Sequence, residues 1–162
     1  LMSRLQNQLL LDADRASRTL EEELQFVKYY LELETLRFES KLSYTIAVSS
    51  DVDKNIQVPN MLLHTFVENA IKHGLAGSAR SMKITISAER MNGSLHLVVD
   101  DNGQGCPDTV SAMAKGGIGL GNVRDRLNLI YGVASSFNLS SPAGKGFQVR
   151  LSIPFEPTEL PT

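Results

Sequence analysis

The stretch from Asp100 to Asn122, DDNGQGCPDTVSAMAKGGIGLGN, holds six of the twelve glycines in a chain of 162 residues. Asp101 follows an apolar alternating run, SLHLVVD, directly. A carboxylate in that position can accept a hydrogen bond from an exocyclic amine. Gly103 and Gly105, two and four residues on, let a flat group approach the backbone where a β-carbon would collide. The second cluster, Gly116, Gly117, Gly119 and Gly121, opens a run with helical character, LGNVRDRLNLIYG. Backbone N–H groups and the positive end of a helix would then face the loop, which is the chemistry of an anion site. The ten residues between the clusters, Cys106 to Lys115, carry few large apolar groups and read as a lid.

A second set of polar groups lies upstream in VPNMLLHTFVENAIKHG. Pro59 suits the first turn of a helix and Gly74 its end, which predicts a helix over about Asn60 to His73. Leu62, Leu63, Phe66, Val67, Ala70 and Ile71 form its apolar side. Thr65, Glu68, Asn69 and Lys72 recur at i, i+3, i+4 and i+7 on another stripe. A mid-helix asparagine is costly, because its amide competes for the backbone, and so asks for a reason. His73 in the last turn has an ordinary reading as a partner of the helix dipole, and His96 as a sheet-face residue. No histidine stands at metal-ligand spacing with cysteine or another histidine.

Two familiar phosphate loops are excluded by spacing. Asn122 stands where the third glycine of G-x-G-x-x-G would belong, and no G-x-x-x-x-G-K-[ST] occurs. Each glycine cluster alone also fits an ordinary turn. Both clusters together with the polar-striped helix point to a nucleotide site.

These residues need a scaffold. Thr19 with Glu22 forms a capping box, followed by Leu20, Leu24, Val27 and Leu31 on one face, which predicts a helix to about Ser40. Residues 1 to 18 read as an earlier amphipathic helix that frays near its end. Alternation predicts strands in LSYTIAV, MKITISAE, SLHLVVD and the run Phe147, Val149, Leu151, Ile153. Asn92-Gly93 marks a hairpin between the second and third. A further helix is predicted over about Leu120 to Tyr131. The order argues an α+β fold with helices on one face of a mixed sheet, preceded by an N-terminal helical segment. A formal charge of -2 gives no reason to expect a nucleic-acid or anionic-membrane partner. The single cysteine, Cys106, excludes an internal disulfide framework and fits a reducing cytoplasm. No apolar run reaches the roughly 18 residues of a membrane span. The chain opens at Leu1 rather than methionine, so it is expected to be a piece of something longer.

HTFVENAIKHG resembles the N box, DNGQG the G1 box and GGIGLGN the G2 box of the ATP-binding domains shared by histidine kinases, type II topoisomerases, Hsp90-like chaperones and mismatch-repair ATPases, the GHKL superfamily. Together with EEELQFVKYYLELETLRFESKL, they resemble the LytS-like sensor histidine kinases. The resemblance implies a Bergerat α/β sandwich binding ATP and Mg²⁺. It divides the chain into residues 1–40, the end of a dimerising helical region with its linker helix, residues 41–156, the ATP-binding catalytic domain, and a tail over 157–162.

By matching positions, Asn69 would hold Mg²⁺ and Asp101 the adenine amino group. Gly103 and Gly105 would shape the adenine pocket. Gly117, Gly119 and Gly121, with Leu120 and Asn122, would hold the lid near the phosphates, which Lys72 and His73 would also meet. Arg126 matches a family position as a ligand or as a structural ion pair. Thr65 replaces the glutamate that activates water in the related hydrolases, and Glu68 is the acidic residue left to orient or deprotonate an acceptor histidine. That histidine lies in an upstream motif which His64, His73 and His96 do not match. The implied protein is a histidine kinase, homodimeric at full length, membrane-anchored with this region in the cytoplasm, and relaying phosphate to the receiver domain of a response regulator. The alternatives are a GHKL-type ATP hydrolase and a degenerate docking module.

Overall fold

A computed structural model describes residues 15–75, 80–105, 108, 118–141 and 145–155. The expected first helix falls mostly on residues 1–14, which with the tail, residues 157–162, lie outside the described residues. Where that helix was expected to fray, Ser17–Thr19 instead forms a short strand, β1. It pairs antiparallel with β3, Gln57–Pro59. Pro59 therefore ends a strand rather than opening a helix, and Met61 takes a left-handed φ of 61° before the chain turns helical.

Helix α1, Leu20–Phe38, starts at the capping box foreseen in the sequence. Glu22 N–H donates to Thr19 Oγ1 at 3.2 Å, and the Glu22 carboxylate accepts from Thr19 N–H at 2.8 Å. The Thr19 backbone N–H, first among several causes, holds the Glu22 carboxyl below its ordinary pKa. A single 3-10 turn then leads into β2, Leu42–Val48. Helix α2, Leu62–Gly74, follows β3, and the hairpin β4, Met82–Met91, and β5, Ser94–Asp101, follows α2. Asn92 and Gly93 both take positive φ, 52° and 75°, the two-residue turn that matches strand twist. Helix α3, Ile118–Tyr131, and the strands β6, Ser136–Ser140, and β7, Phe147–Pro154, complete the fold.

The main sheet runs β2-β4-β5-β7-β6. β2 and β4 are parallel and the other pairs antiparallel, so the sheet is mixed. Its helix-facing side is built by alternation: Ile86, Val99 and Val149 are in register, as are Ala88, Leu97 and Leu151. These meet Leu63, Phe66, Val67 and Ala70 of α2 and Val123 and Leu127 of α3 in one core. Leu20, Leu24, Val27 and Leu31 of α1 belong to that same core. Each such side chain contributes about 1.5–3 kcal/mol by leaving water, which draws the three helices to one face against the entropy of ordering them.

Candidate nucleotide site

One register row of the sheet breaks the apolar rule. Ile84, Asp101 and Phe147 stand side by side, so alternation turns Asp101 onto the core face at the end of β5. It is 3% exposed. Asp100, one residue earlier, faces the other side and accepts from Gln148 Nε2 at 3.0 Å. Asp101 Oδ1 accepts from Gly103 N–H at 2.9 Å. Burial pushes its carboxyl up to about 6, against the pull of the Gly103 and Phe147 backbone N–H groups. A buried carboxylate with acceptor capacity left over suits an amine-bearing ring.

The glycines around Asp101 fit backbone to backbone. A β-carbon on Gly103 would stand 2.6 Å from the Cα of Gly74, and one on Gly105, at φ 74°, 2.7 Å from the carbonyl oxygen of Gly146. A β-carbon on Gly146, at φ 82°, would collide with the Asp101 carbonyl. Gly74, rather than simply stopping the helix, is its last residue, and a side chain there would run into Met82 Sδ. Glycine at 103 and 105 is thus required by the protein's own packing, whatever a ligand asks.

The stripe on α2 is separated from its apolar side as the spacing predicts. Leu62, Leu63, Phe66, Val67, Ala70 and Ile71 are buried, Asn69 is half-exposed, and Glu68, Lys72 and His73 are exposed. The Asn69 side chain makes no hydrogen bond among the described residues, so its amide is available. Glu68 and Lys72, one turn apart, are both exposed. Glu68 lies near Tyr30, whose phenol is pushed up to about 12 by burial and then by Glu34 and Glu68. Thr65 Oγ1 donates to the Met61 carbonyl at 2.7 Å.

Helix α3 begins at Ile118, two residues earlier than the expected start near Leu120, so Gly119 joins Gly121 in its first turn rather than preceding the helix. A β-carbon on Gly119 would sit 3.2 Å from Thr65 Cγ2, whereas one on Gly121 would have no neighbour within 4 Å among the described residues. The start of α3 is therefore seated on the α2 stripe at Thr65. Asn122 is exposed. Leu120 turns inward, 4% exposed, and packs in the core. Arg126 has a buried Nε without a hydrogen-bond partner among the described residues. Its pKa is lowered by burial and raised in part by Glu23. Gly116, Gly117 and, apart from Asp108, the expected lid lie outside the described residues.

His64 is held edge-on by the rings of Phe26 and Tyr30, with centroids 5.2 and 4.7 Å away. Burial, then the nearby Arg18, lowers its pKa to about 4, so it is a neutral packing residue at neutral pH. His96 lies on the helix-free sheet face, 3.4 Å from Ser152 Oγ. Sequence reasoning missed Gly146, and it missed a buried ion pair, Arg18 with Glu23, at the start of α2. The signal available for Gly146 is local: it closes the run Gly144-Lys145-Gly146 just before the alternating strand.

Comparisons with known proteins agree with this arrangement. Residues 56–157 match the family described as histidine kinase-, DNA gyrase B- and HSP90-like ATPase. The sensor histidine kinase YesM of Bacillus subtilis is 32% identical over 137 residues, 84% of this chain and 24% of the relative. The sensor protein LytS of Streptococcus mutans is 34% identical over 149 residues, 85% of this chain and 25% of the relative. The chain thus spans about a quarter of the length of the curated relatives it matches. Among solved structures, the catalytic domain of histidine kinase ThkA superposes with a TM-score of 0.66 at 18% identity, covering 87% of this chain and 97% of that one. The histidine kinase domain of the Erythrobacter litoralis EL346 blue-light activated kinase gives 0.64 at 18%, covering 87% and 69%. The fold is that of histidine kinase catalytic domains, the Bergerat sandwich, and the chain belongs to the histidine kinase-, DNA gyrase B- and HSP90-like ATPase family.

Proposed function

We propose that this chain is the ATP-binding catalytic domain of a sensor histidine kinase. It would move the γ-phosphoryl group of ATP to a histidine outside residues 1–162, for relay to the receiver domain of a response regulator. The observation that carries the reading is the convergence on α2: its polar stripe meets Gly119 of α3 near one end and, through Gly74, the Asp101–Gly103 turn at the other.

Asp101 would accept a hydrogen bond from the adenine amino group, beside Gly103 and Gly105. The half-exposed, unengaged Asn69 amide fits Mg²⁺, a hard cation that takes few protein oxygens and keeps its waters. Bound there, the ion would neutralise phosphate charge. Gly119, Gly121 and Asn122 at the α3 N-terminus would face the phosphates, with Lys72 and His73 on the opposite side, and Gly117 would contribute from the loop before α3. In the transfer, the bond from the γ-phosphorus to its bridging oxygen breaks, a phosphorus–nitrogen bond forms at the acceptor imidazole, and ADP leaves. Glu68 would orient that imidazole and take its proton.

Thr65 favours transfer to histidine over hydrolysis. A hydroxyl cannot act as a base at neutral pH, and its hydrogen is already given to the Met61 carbonyl. No helix among the described residues is long and apolar enough to cross a membrane. A membrane anchor, a dimerising region and the acceptor histidine would all belong to the longer protein, with this domain in the cytoplasm. The test is to supply γ-labelled ATP to the full-length protein. Acid-labile, base-stable label on the protein is the predicted result. Free phosphate without labelled protein would replace the reading with a hydrolase, and neither product would leave a docking module.

A further inference from the structure

Helix α2 lacks a cap of its own. Met61 stands at its N-cap with a left-handed backbone and makes no side-chain cap, leaving the first N–H groups of the helix to find acceptors elsewhere. They find one in another helix. The Glu23 carboxylate of α1 accepts from Met61 N–H at 2.7 Å through Oε1 and from Leu63 N–H at 2.8 Å through Oε2. Arg18 Nε donates to the same Oε1, and Arg18 Nη2 reaches Met61 Sδ at 3.1 Å. Both charged side chains are 0% exposed.

A buried ion pair is weak evidence for stability, since apolar side chains of the same volume often do as well. What it provides here is placement. The Met61 peptide is held from both sides: Glu23 takes its N–H, and its carbonyl accepts from Thr65 N–H at 3.1 Å and Thr65 Oγ1 at 2.7 Å. Thr65 in turn seats against Gly119. On the other side of the junction, Asn60 N–H donates to Ala16 O at 3.1 Å and Asn60 Nδ2 to Arg15 O at 3.0 Å. The β1–β3 pair lies alongside.

We propose that Glu23, held by Arg18, is a positioning residue for the phosphate side of the nucleotide site. It fixes Met61, and through Met61 and Thr65 it sets the start of α3 against α2. The segment from Arg15 to Glu23 is thereby tied to the place where phosphates would lie, so a displacement of the chain upstream is felt there before it is felt at Asp101. The inference rests on the nucleotide reading above.

The variant Glu23→Gln keeps the shape but removes the charge and one acceptor. Binding of Mg-ATP and of adenosine, which lacks phosphates, is measured on the wild-type chain and the variant, with circular dichroism as the check of folding. The dissociation constant for ATP is expected to rise about tenfold, the loss of one charge-assisted hydrogen bond, while that for adenosine changes less than about twofold. Equal losses for both ligands, or no loss in a folded variant, overturn the inference while leaving the nucleotide reading intact. Failure of the wild-type chain to bind ATP overturns both. If Glu23→Gln does not fold, hydrogen exchange on the wild type decides: Mg-ATP should slow exchange of the Met61 and Leu63 amides about tenfold, and unchanged exchange there refutes the coupling.

Discussion

Gly103 and Gly74 meet backbone to backbone: a β-carbon on Gly103 would stand 2.6 Å from the Cα of Gly74 and 3.0 Å from its carbonyl oxygen. This contact joins the turn after β5 to the last turn of α2, and so brings the Asp101 carboxylate to the end of the helix that carries Asn69. Gly103→Ala must separate the two elements. It is expected to cost about 1–3 kcal/mol, as overpacking does, and to weaken ATP binding through Asp101. Urea unfolding and ATP titration of the same variant check both.

The neighbouring Gly146 offers a sharper contrast. Its φ is 82° and a side chain would run into the Asp101 carbonyl, whereas Gly132 has φ 52° with nothing among the described residues within 4 Å of its would-be β-carbon. Gly132→Ala should cost about 1 kcal/mol for the left-handed backbone alone. Gly146→Ala should cost at least about 3 kcal/mol, since steric conflict is added. Urea midpoints of the two variants that coincide would remove the packing argument for Gly146.

Asp101 should have a stability effect opposite in sign to its proposed functional one. Burial raises its folded pKa to about 6, above the ordinary carboxylate value near 4. The folded state therefore holds the proton more tightly than the unfolded state. The resulting destabilisation is fully present above pH 6, diminishes as pH falls through 6, and is absent below about 4. Asp101→Asn keeps an oxygen for the Gly103 N–H and removes the charge. It should stabilise the chain by about 1–3 kcal/mol at pH 8 and by nothing near pH 3.5, measured by urea unfolding at the two pH values.

Under the proposed function, Glu68 serves the acceptor rather than ATP. In the full-length protein, Glu68→Gln should slow phosphoryl transfer by about 10²–10⁴-fold and leave the dissociation constant for Mg-ATP within about twofold. Rapid-quench transfer assays and calorimetry separate the two; a loss confined to binding would place Glu68 among the nucleotide contacts instead.

Much of this was legible in the residues themselves. The capping box at Thr19 and Glu22, the Asn92-Gly93 turn and the two-sided pattern of α2 each depend on neighbours within one or two turns, so local sequence determines them. The exceptions depend on partners far along the chain. Ser17–Thr19 is a strand because Gln57–Pro59, some 40 residues on, supplies its ladder. The same pairing draws Pro59 away from the helix it would otherwise suit. Glu23 looks like one more acidic residue in a helical first turn, and only the fold brings it to Met61 and Leu63. By sequence Gly103 and Gly105 offer room for a ligand, but Gly74, Ser141 and Gly146 stand in part of that room.

The central claim is that Asp101 and the α2 stripe form one nucleotide site, and calorimetric titration of this chain with Mg-ATP tests it most directly. The account predicts saturable binding of one ATP, with affinity falling at least about tenfold in Asp101→Asn and, only when magnesium is present, in Asn69→Ala. Because the Asn69 side chain is half-exposed and makes no hydrogen bond, Asn69→Ala should also unfold no more easily than the wild type. No saturable binding by the wild-type chain, or unchanged affinity in both folded variants, would contradict it.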